Sequence, residues 1–234
     1  MDQPTGSPTL LLQEKEHLVA DVWAFRFKPS EPLSWTAGQY LSVELPHDNP
    51  DGKGTKRWFT ISSAPYEQIV QITTRLTGST FKDALMALPI GGQLLLLDQP
   101  HGEFVWQDSD SPLVFVAGGI GITSFRSILR ERAHQGLPLT AHLIYGNRTT
   151  DIAFKEEFDA YAQQDSAFSV SYVVGEPLTV DGLREHEPRL LDSVVYISGP
   201  TAMAKSLGAD LAATGLLADH LKQDFYPTYT PENY

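Results

Sequence analysis

From Val114 to Ser124 the chain reads VFVAGGIGITS, an apolar run that breaks into glycines and leads directly into an amphipathic helical pattern. A strand that ends this way lets backbone N–H groups and the positive end of a helix approach an anion with no Cβ between them. The same turn also serves simply to pack a helix on a strand, so a dinucleotide site and a packing turn both stay open on local grounds. Gly118-Gly119-Ile120-Gly121-Ile122-Thr123 departs from the G-x-G-x-x-G fingerprint, and no acid at the end of the next strand clearly takes the ribose-binding part. That argues against an ordinary NAD dehydrogenase domain.

C-terminal to this segment, strands are expected over Leu113 to Ala117, Thr140 to Tyr145, Phe168 to Val174 and Val194 to Ser198. Helices are expected between them, over Thr123 to His134, Phe154 to Gln163 and Ala202 to Thr214. The alternation predicts an α/β unit with a parallel sheet and helices on its faces, supported by stripes at Phe154, Phe158, Tyr161 and at Met203, Leu207, Leu211. N-terminal to it the texture is different: short strands over Val19 to Phe27, Gln39 to Leu45, Trp58 to Ser62, Ile69 to Leu76 and Leu94 to Leu97, separated by Gly, Pro and Asp. This predicts an antiparallel β-barrel or sandwich. One helix interrupts it, with Phe81, Leu85 and Leu88 on one face and Thr80 placed to cap its start. The polar stretch Gln107 to Pro112 puts the boundary near Asp108 to Ser111, giving a β domain over residues 1–108 and an α/β domain over 109–234. At 234 residues each part can bury its own core.

A formal charge of −12 makes nonspecific binding to nucleic acid or anionic membrane unfavourable. No apolar run has the length of a bilayer span, and the start MDQPTGSPT lacks the basic and apolar regions of a signal peptide, so a cytoplasmic protein without membrane insertion is expected. The chain has no cysteine, which excludes an iron–sulfur centre with ordinary ligands. Its seven histidines (17, 47, 101, 134, 142, 186, 220) show no metal-type spacing, so no metal site is expected.

Three further segments carry candidate chemistry. Arg57-Trp58-Phe59-Thr60 combines a cation, an aromatic and a hydroxyl on a strand, with Arg57 and Phe59 on one face, so a phosphate and a planar ring can be met together. Taken alone, the tetrapeptide reads more readily as a surface arginine beside a half-buried aromatic strand. Arg75-Leu76-Thr77-Gly78-Ser79-Thr80 delivers a helix N-terminus after a glycine turn, either an anion cradle or an ordinary capped helix. Ser198-Gly199-Pro200-Thr201-Ala202-Met203 lies at the carboxyl end of a parallel strand, where ligands of open sheets bind, although Pro200 is also good helix-start chemistry.

Together these motifs resemble the ferredoxin-NADP reductase superfamily over almost the whole chain: RWFT matches its R-x-[YF]-[ST] strand, GGIGITS its G-G-x-G-x-[TS]-P loop with Ser124 in place of proline, and SGPTAM its [CS]-G-P-x-x-M turn. The resemblance implies a Greek-key FAD-binding barrel followed by an NAD(P)-binding domain. It implies that Arg57 holds the flavin pyrophosphate or phosphate, that Phe59 packs on the isoalloxazine and that Thr60 bonds near N5. Gly78, Ser79 and Thr80 correspond to the second phosphate loop, which favours FAD over FMN. Thr60 and Ser198 become the catalytic candidates, with Ser198 standing where many relatives have cysteine. The implied cofactor-binding set is completed by Trp58, Thr74, Gly118, Gly119, Gly121, Ile122, Thr123, Asn147, Arg148, Gly199, Pro200 and Met203. The tail from Asp224 resembles a D-[YF]-F-P-G-Y ending, which adds Phe225 and Tyr226. Val173-Val174-Gly175-Glu176 lacks the Ser-Arg pair of NADP-selective members, so NADH is slightly favoured, while Arg148 stays available to a 2′-phosphate.

The activity implied is hydride transfer from NAD(P)H to bound FAD and delivery of electrons to a separate acceptor: a ferredoxin, a flavodoxin, an oxygenase or a small oxidant. A basic patch of Lys28, Lys53, Lys56 and Lys82 could offset the negative charge in docking. A free-flavin reductase is the alternative, which Pro100-His101-Gly102-Glu103 slightly favours. A non-catalytic dinucleotide-binding regulatory subunit has less to support it, since it would not need the RWFT strand.

Overall fold

The computed structural model describes residues 8–224 and contains two sheets. The first is antiparallel, built from β1 (Thr9–Val19), β2 (Val22–Pro29), β3 (Tyr40–Glu44), β4 (Lys56–Thr60), β5 (Val70–Arg75) and β6 (Gln93–Leu96) in the order β4-β3-β6-β1-β2-β5. Its edge strands approach through an isolated bridge between Ile61 and Ile72, with Ser62 N donating to Gln71 O at 2.8 Å. The barrel therefore closes at a point rather than along a continuous ladder. Leu10, Leu12, Phe25, Phe27, Leu41, Ile72 and Leu94 fill its interior, and α1 (Thr80–Ala87) covers one end with Phe81 and Leu85.

Two differences from the expected strands have clear causes. The segment expected as one strand from Val19 to Phe27 is broken at Ala20, whose left-handed backbone (φ 44°) turns β1 into β2. β1 itself escapes periodicity because its apolar run Leu10 to Leu12 is followed by the polar stretch Gln13 to His17, the register slips after Leu12, and Glu14 and Glu16 pair with Arg26.

The second sheet is parallel, with β7 (Leu113–Gly118), β8 (Ala141–Asn147), β9 (Phe168–Val174), β10 (Val194–Ser198) and β11 (Leu221–Asp224) in the order β11-β10-β7-β8-β9. Helices α2 (Ile122–His134), α3 (Lys155–Gln164), α4 (Val180–His186) and α5 (Thr201–Ala213) connect the strands. β7 is buried on both faces: Phe115 and Ala117 join the cluster under α2 and α3, while Val114 and Val116 join that under α4 and α5. The sequence reading did not include α4 or β11. α4 is short and starts at Thr179, whose Oγ1 accepts from Gly182 N. β11 is a half-buried edge strand with Leu221 followed by three polar residues, so no apolar run marks it. No helix among the described residues is long and apolar enough to cross a membrane.

The N-terminal half of α2 lies against the first sheet. Arg126 Nη1 donates to Ser62 O and Ser127 Oγ to Ser63 O, both at 2.6 Å. This contact fixes the end of β4 beside the glycine turn that follows β7.

Candidate functional site

Two clefts open where the first sheet meets the carboxyl ends of the parallel strands. The inner one, about 560 Å³, is lined by Arg57, Trp58, Phe59 and Thr60, by Thr74, Gly78 and Ser79, and by Gly121, Thr123, Ser198 and Gly199 from the second unit. The outer one, about 1040 Å³, is lined by Gly118, Gly119, Asn147, Arg148, Pro200 and Met203. Thr74, Thr77, Lys82 and Ile120 line both, so occupants of the two clefts would abut.

In the inner cleft the strand alternation holds. The Arg57 guanidinium lies 5.0 Å from the Phe81 ring centroid, and the Phe59 ring lies 5.8 Å from the same ring, so both point to one side of β4. Arg57 is not a surface arginine, its side chain being 5% exposed. Nη1 donates to the carbonyls of Lys53, Gly54 and Lys56, while Nη2 reaches Asp51 Oδ1 at 3.1 Å and Ser79 Oγ at 3.4 Å.

The start of α1 differs from expectation. Thr80 is the first helical residue, and Ser79, in the capping position, makes no side-chain cap bond. The acceptor comes from the β3–β4 loop instead: Asp51 Oδ2 accepts from Thr80 N and Ser79 Oγ, both at 3.3 Å. Thr80 Oγ1 is turned to that loop, accepting from Asp51 N at 3.0 Å and lying 3.1 Å from His47 Nε2. Burial would raise the Asp51 pKa, but the Lys53 N–H, the Arg57 charge, the Thr80 N–H and the Ser79 hydroxyl together hold it below the usual carboxylate value. Guanidinium, hydroxyl and helix N–H converge on one carboxylate, a donor set that equally suits a phosphate.

The back of the inner cleft is a line of hydroxyls ending in an acid. Thr60 Oγ1 lies 3.5 Å from Ser124 Oγ, Ser124 Oγ donates to Asp224 Oδ2 at 2.6 Å, and Ser198 Oγ donates to the same oxygen at 3.0 Å. Burial pushes the Asp224 pKa up, and the two hydroxyls pull it back in part. Lys82 stands between the clefts with Nζ donating to Thr77 Oγ1 at 3.1 Å. Burial and the neighbouring cations Lys53, Arg57 and Arg75, opposed by Asp21, lower its pKa to about 8.

In the outer cleft Asn147 is buried, and its Nδ2 has no hydrogen-bond partner among the described residues, an arrangement that suits a ligand acceptor. Of the three glycines in the turn, Gly119 alone combines a left-handed backbone (φ 51°) with open space at the Cβ position. A Cβ on Gly118 would meet Met203 Sδ and one on Gly121 the Ser198 carbonyl, so those two serve packing. Ile122, expected among the cofactor-binding residues, is instead fully buried in the core under α2 and lines neither cleft. Phe225 and Tyr226 lie outside the described residues.

The motifs did not single out Asp51, Ile120, Ser124 or Asp224 as site residues, and named Lys82 only for docking. Asp51 sits in a polar loop with no motif, while Asp224 opens the tail that resembles the family's ending but lies on a strand with no periodicity. Ser124 was visible as the residue replacing proline in a matched loop.

Comparison with known proteins adds the following. The model of the family described as "Oxidoreductase NAD-binding domain" matches residues 115–208. An NAD(P)H-flavin reductase of Aliivibrio fischeri is 29% identical, covering 81% of this chain and 85% of that protein. NADH-cytochrome b5 reductase 1 of Pyricularia oryzae is 31% identical, covering 91% and 76%. The toluate 1,2-dioxygenase electron transfer component of Pseudomonas putida is 27% identical, and the chain spans 56% of its length. A solved structure of a ferredoxin NADP+ reductase from Neisseria gonorrhoeae, with bound FAD and NADP, superposes with a TM-score of 0.76 at 19% identity, covering 92% of this chain and 97% of that one. At that identity it shows a shared fold.

Proposed function

Because the chain belongs to the ferredoxin-NADP reductase superfamily, we propose that its inner cleft takes FAD and its outer cleft NAD(P)H, and that electrons then leave to a separate acceptor. The protein is an NAD(P)H-dependent flavoprotein reductase. The observation that carries the assignment of clefts is their common wall of Thr74, Thr77, Lys82 and Ile120, which makes the two sites adjoin.

When bound, the flavin supplies hydride acceptance from the nicotinamide and onward release of electrons singly or in pairs. The chain's contribution is orientation and electrostatics. Arg57, Ser79 and the Thr80 N–H form the phosphate anchor, Phe59 offers a ring face, and Thr60 offers a hydroxyl at the ring edge. The turn through Gly119 and the buried Asn147 amide receive the dinucleotide. Ser198, held by Asp224, lines the inner cleft and is the polar group available where a nicotinamide would have to meet the flavin. No side-chain general base is required. Glu176 and Asp210 line the outer cleft together with Arg148, which favours NADH over a nucleotide bearing a 2′-phosphate. The division into a flavin domain over residues 1–108 and a nucleotide domain over 109–234 belongs to the same reading.

For the acceptor, the relatives point two ways: to a protein partner of the oxygenase type, as in the Pseudomonas component, or to flavin itself, as in the Aliivibrio enzyme. The first is preferred; Asp51 in the phosphate anchor favours the second. Purified protein should be yellow, and anaerobic NADH or NADPH should bleach the flavin band. A colourless protein that takes up no added FAD overturns the assignment. Flavin retained through gel filtration marks the partner-serving enzyme, and flavin lost marks the free-flavin reductase.

A further inference from the structure

We propose that Asp51 is an internal competitor for the flavin phosphate: its carboxylate occupies the anchor formed by Arg57, Ser79 and the N-terminus of α1, so that a phosphate group adds little to flavin binding. The inference rests on the inner cleft being the flavin site.

The geometry is that of a ligand held by its own protein. One oxygen, Oδ1, takes the Arg57 Nη2 donor at 3.1 Å, and the other, Oδ2, takes the Thr80 N–H and the Ser79 hydroxyl. These are the donors a phosphate oxygen would use, and a phosphate brought to them meets a fixed negative charge. Both terminal nitrogens of Arg57 are engaged, Nη1 with three loop carbonyls and Nη2 with Asp51 and Ser79.

Displacement is feasible for local reasons. The Asp51 side chain is 29% exposed, whereas that of Arg57 is 5% exposed, so the acid is the outer partner, with solvent to turn into. It is followed by Gly52 and by Gly54, which has a left-handed backbone and open space at its Cβ position. A phosphate entering the anchor thus exchanges one charge-assisted set for another, and only the difference reaches the binding constant.

The test is the dissociation constant for riboflavin, FMN and FAD, read from quenching of flavin fluorescence on the full chain. Wild-type protein is expected to bind the three within about tenfold of one another. Asp51→Asn keeps the acceptor for Lys53 N while removing the charge. It should tighten FMN and FAD about tenfold or more and leave riboflavin unchanged. Asp51→Ala should show the same phosphate-selective gain, which guards against a loop effect peculiar to one variant. The proposal is overturned if wild type already prefers FMN to riboflavin by about a hundredfold, or if both variants shift all three flavins equally or none. Failure of wild type and variants alike to bind any flavin would overturn the flavin assignment itself, along with this proposal.

Discussion

Ser124 Oγ donates a 2.6 Å hydrogen bond to Asp224 Oδ2, tying the first turn of α2 to the edge strand β11 across the back of the inner cleft. Ser198 bonds the same oxygen, so one buried acid organises hydroxyls from two separate motifs. A proline in the Ser124 position, as in the matched family loop, could not make this bond. The arrangement costs stability when the acid is ionised, because burial is the dominant influence on it.

The first prediction concerns that cost. With its folded pKa raised, Asp224 binds its proton more tightly in the folded state. Its contribution is therefore most favourable below the unfolded value of 3.8 and is lost as pH rises through the folded value. Asp224→Asn, whose amide oxygen can still accept both serine hydroxyls, should raise Tm at pH 7. Each unit of upward shift is worth about 1.4 kcal/mol, or about 3–6 °C in a chain of this size. The gain should vanish near pH 3. Thermal melts at the two pH values decide it, and a lower Tm at pH 7 would show that the carboxylate is held favourably.

The second prediction concerns the joint between the units. Glu157 on α3 accepts from Arg126 Nε at 2.9 Å and Arg130 Nη1 at 3.0 Å, while those arginines reach Ser62 O and Glu67 of the first unit. Glu157→Ala leaves the buried Arg126 without its carboxylate partner, while Arg130 keeps Glu67, and should cost about 3 kcal/mol, lowering Tm by about 6–12 °C. Lys155→Ala breaks the exposed pair with Asp159 and should cost less than about 1 kcal/mol. Equal losses in denaturant titrations of the two variants would refute the ranking.

Much of this was readable from residues. Val114 to Gly118 announced a strand buried on both faces, and the glycines after it announced a turn at its carboxyl end. Arg57 and Phe59 shared a face because strand periodicity admits no other arrangement. What stayed hidden was long-range pairing: Asp51 meets Thr80 from 29 residues away, and Asp224 meets Ser124 from 100 away. No local pattern encodes such contacts. β11 was equally silent, since an edge strand needs backbone partners more than apolar side chains.

The third prediction separates the glycines of the nucleotide turn. Gly121→Ala drives a Cβ into the Ser198 carbonyl, a backbone clash with no side chain to yield, and should leave little folded protein. Gly119→Ala meets nothing, so its cost is the left-handed backbone alone, on the order of 1 kcal/mol. The new methyl projects toward the outer cleft, so this variant should fold but bind NAD+ about tenfold more weakly. Circular dichroism and equilibrium titration together test the contrast, and unimpaired NAD+ binding by folded Gly119→Ala would remove this turn from the nucleotide site.

The fourth prediction follows from Lys82, which among the described residues is the one cation lining both clefts. Its folded pKa of about 8 lies below the unfolded 10.5, so the unfolded state holds the proton more tightly between these values. Stability should therefore rise with pH across that window, while binding of a phosphate-bearing ligand should fall as the ammonium is lost. The opposite signs distinguish a functional cation from a structural one. NAD+ affinity should decline about three- to tenfold from pH 7 to 9, and Lys82→Gln should flatten the profile at the weaker level. Lys82→Arg should keep tight binding at pH 9, because a guanidinium does not titrate there. Lys82→Gln should also melt higher at pH 7, having lost a buried charge repelled by Lys53, Arg57 and Arg75. If Lys82→Gln keeps the wild-type pH slope, another group carries the dependence and Lys82 does not touch the nucleotide.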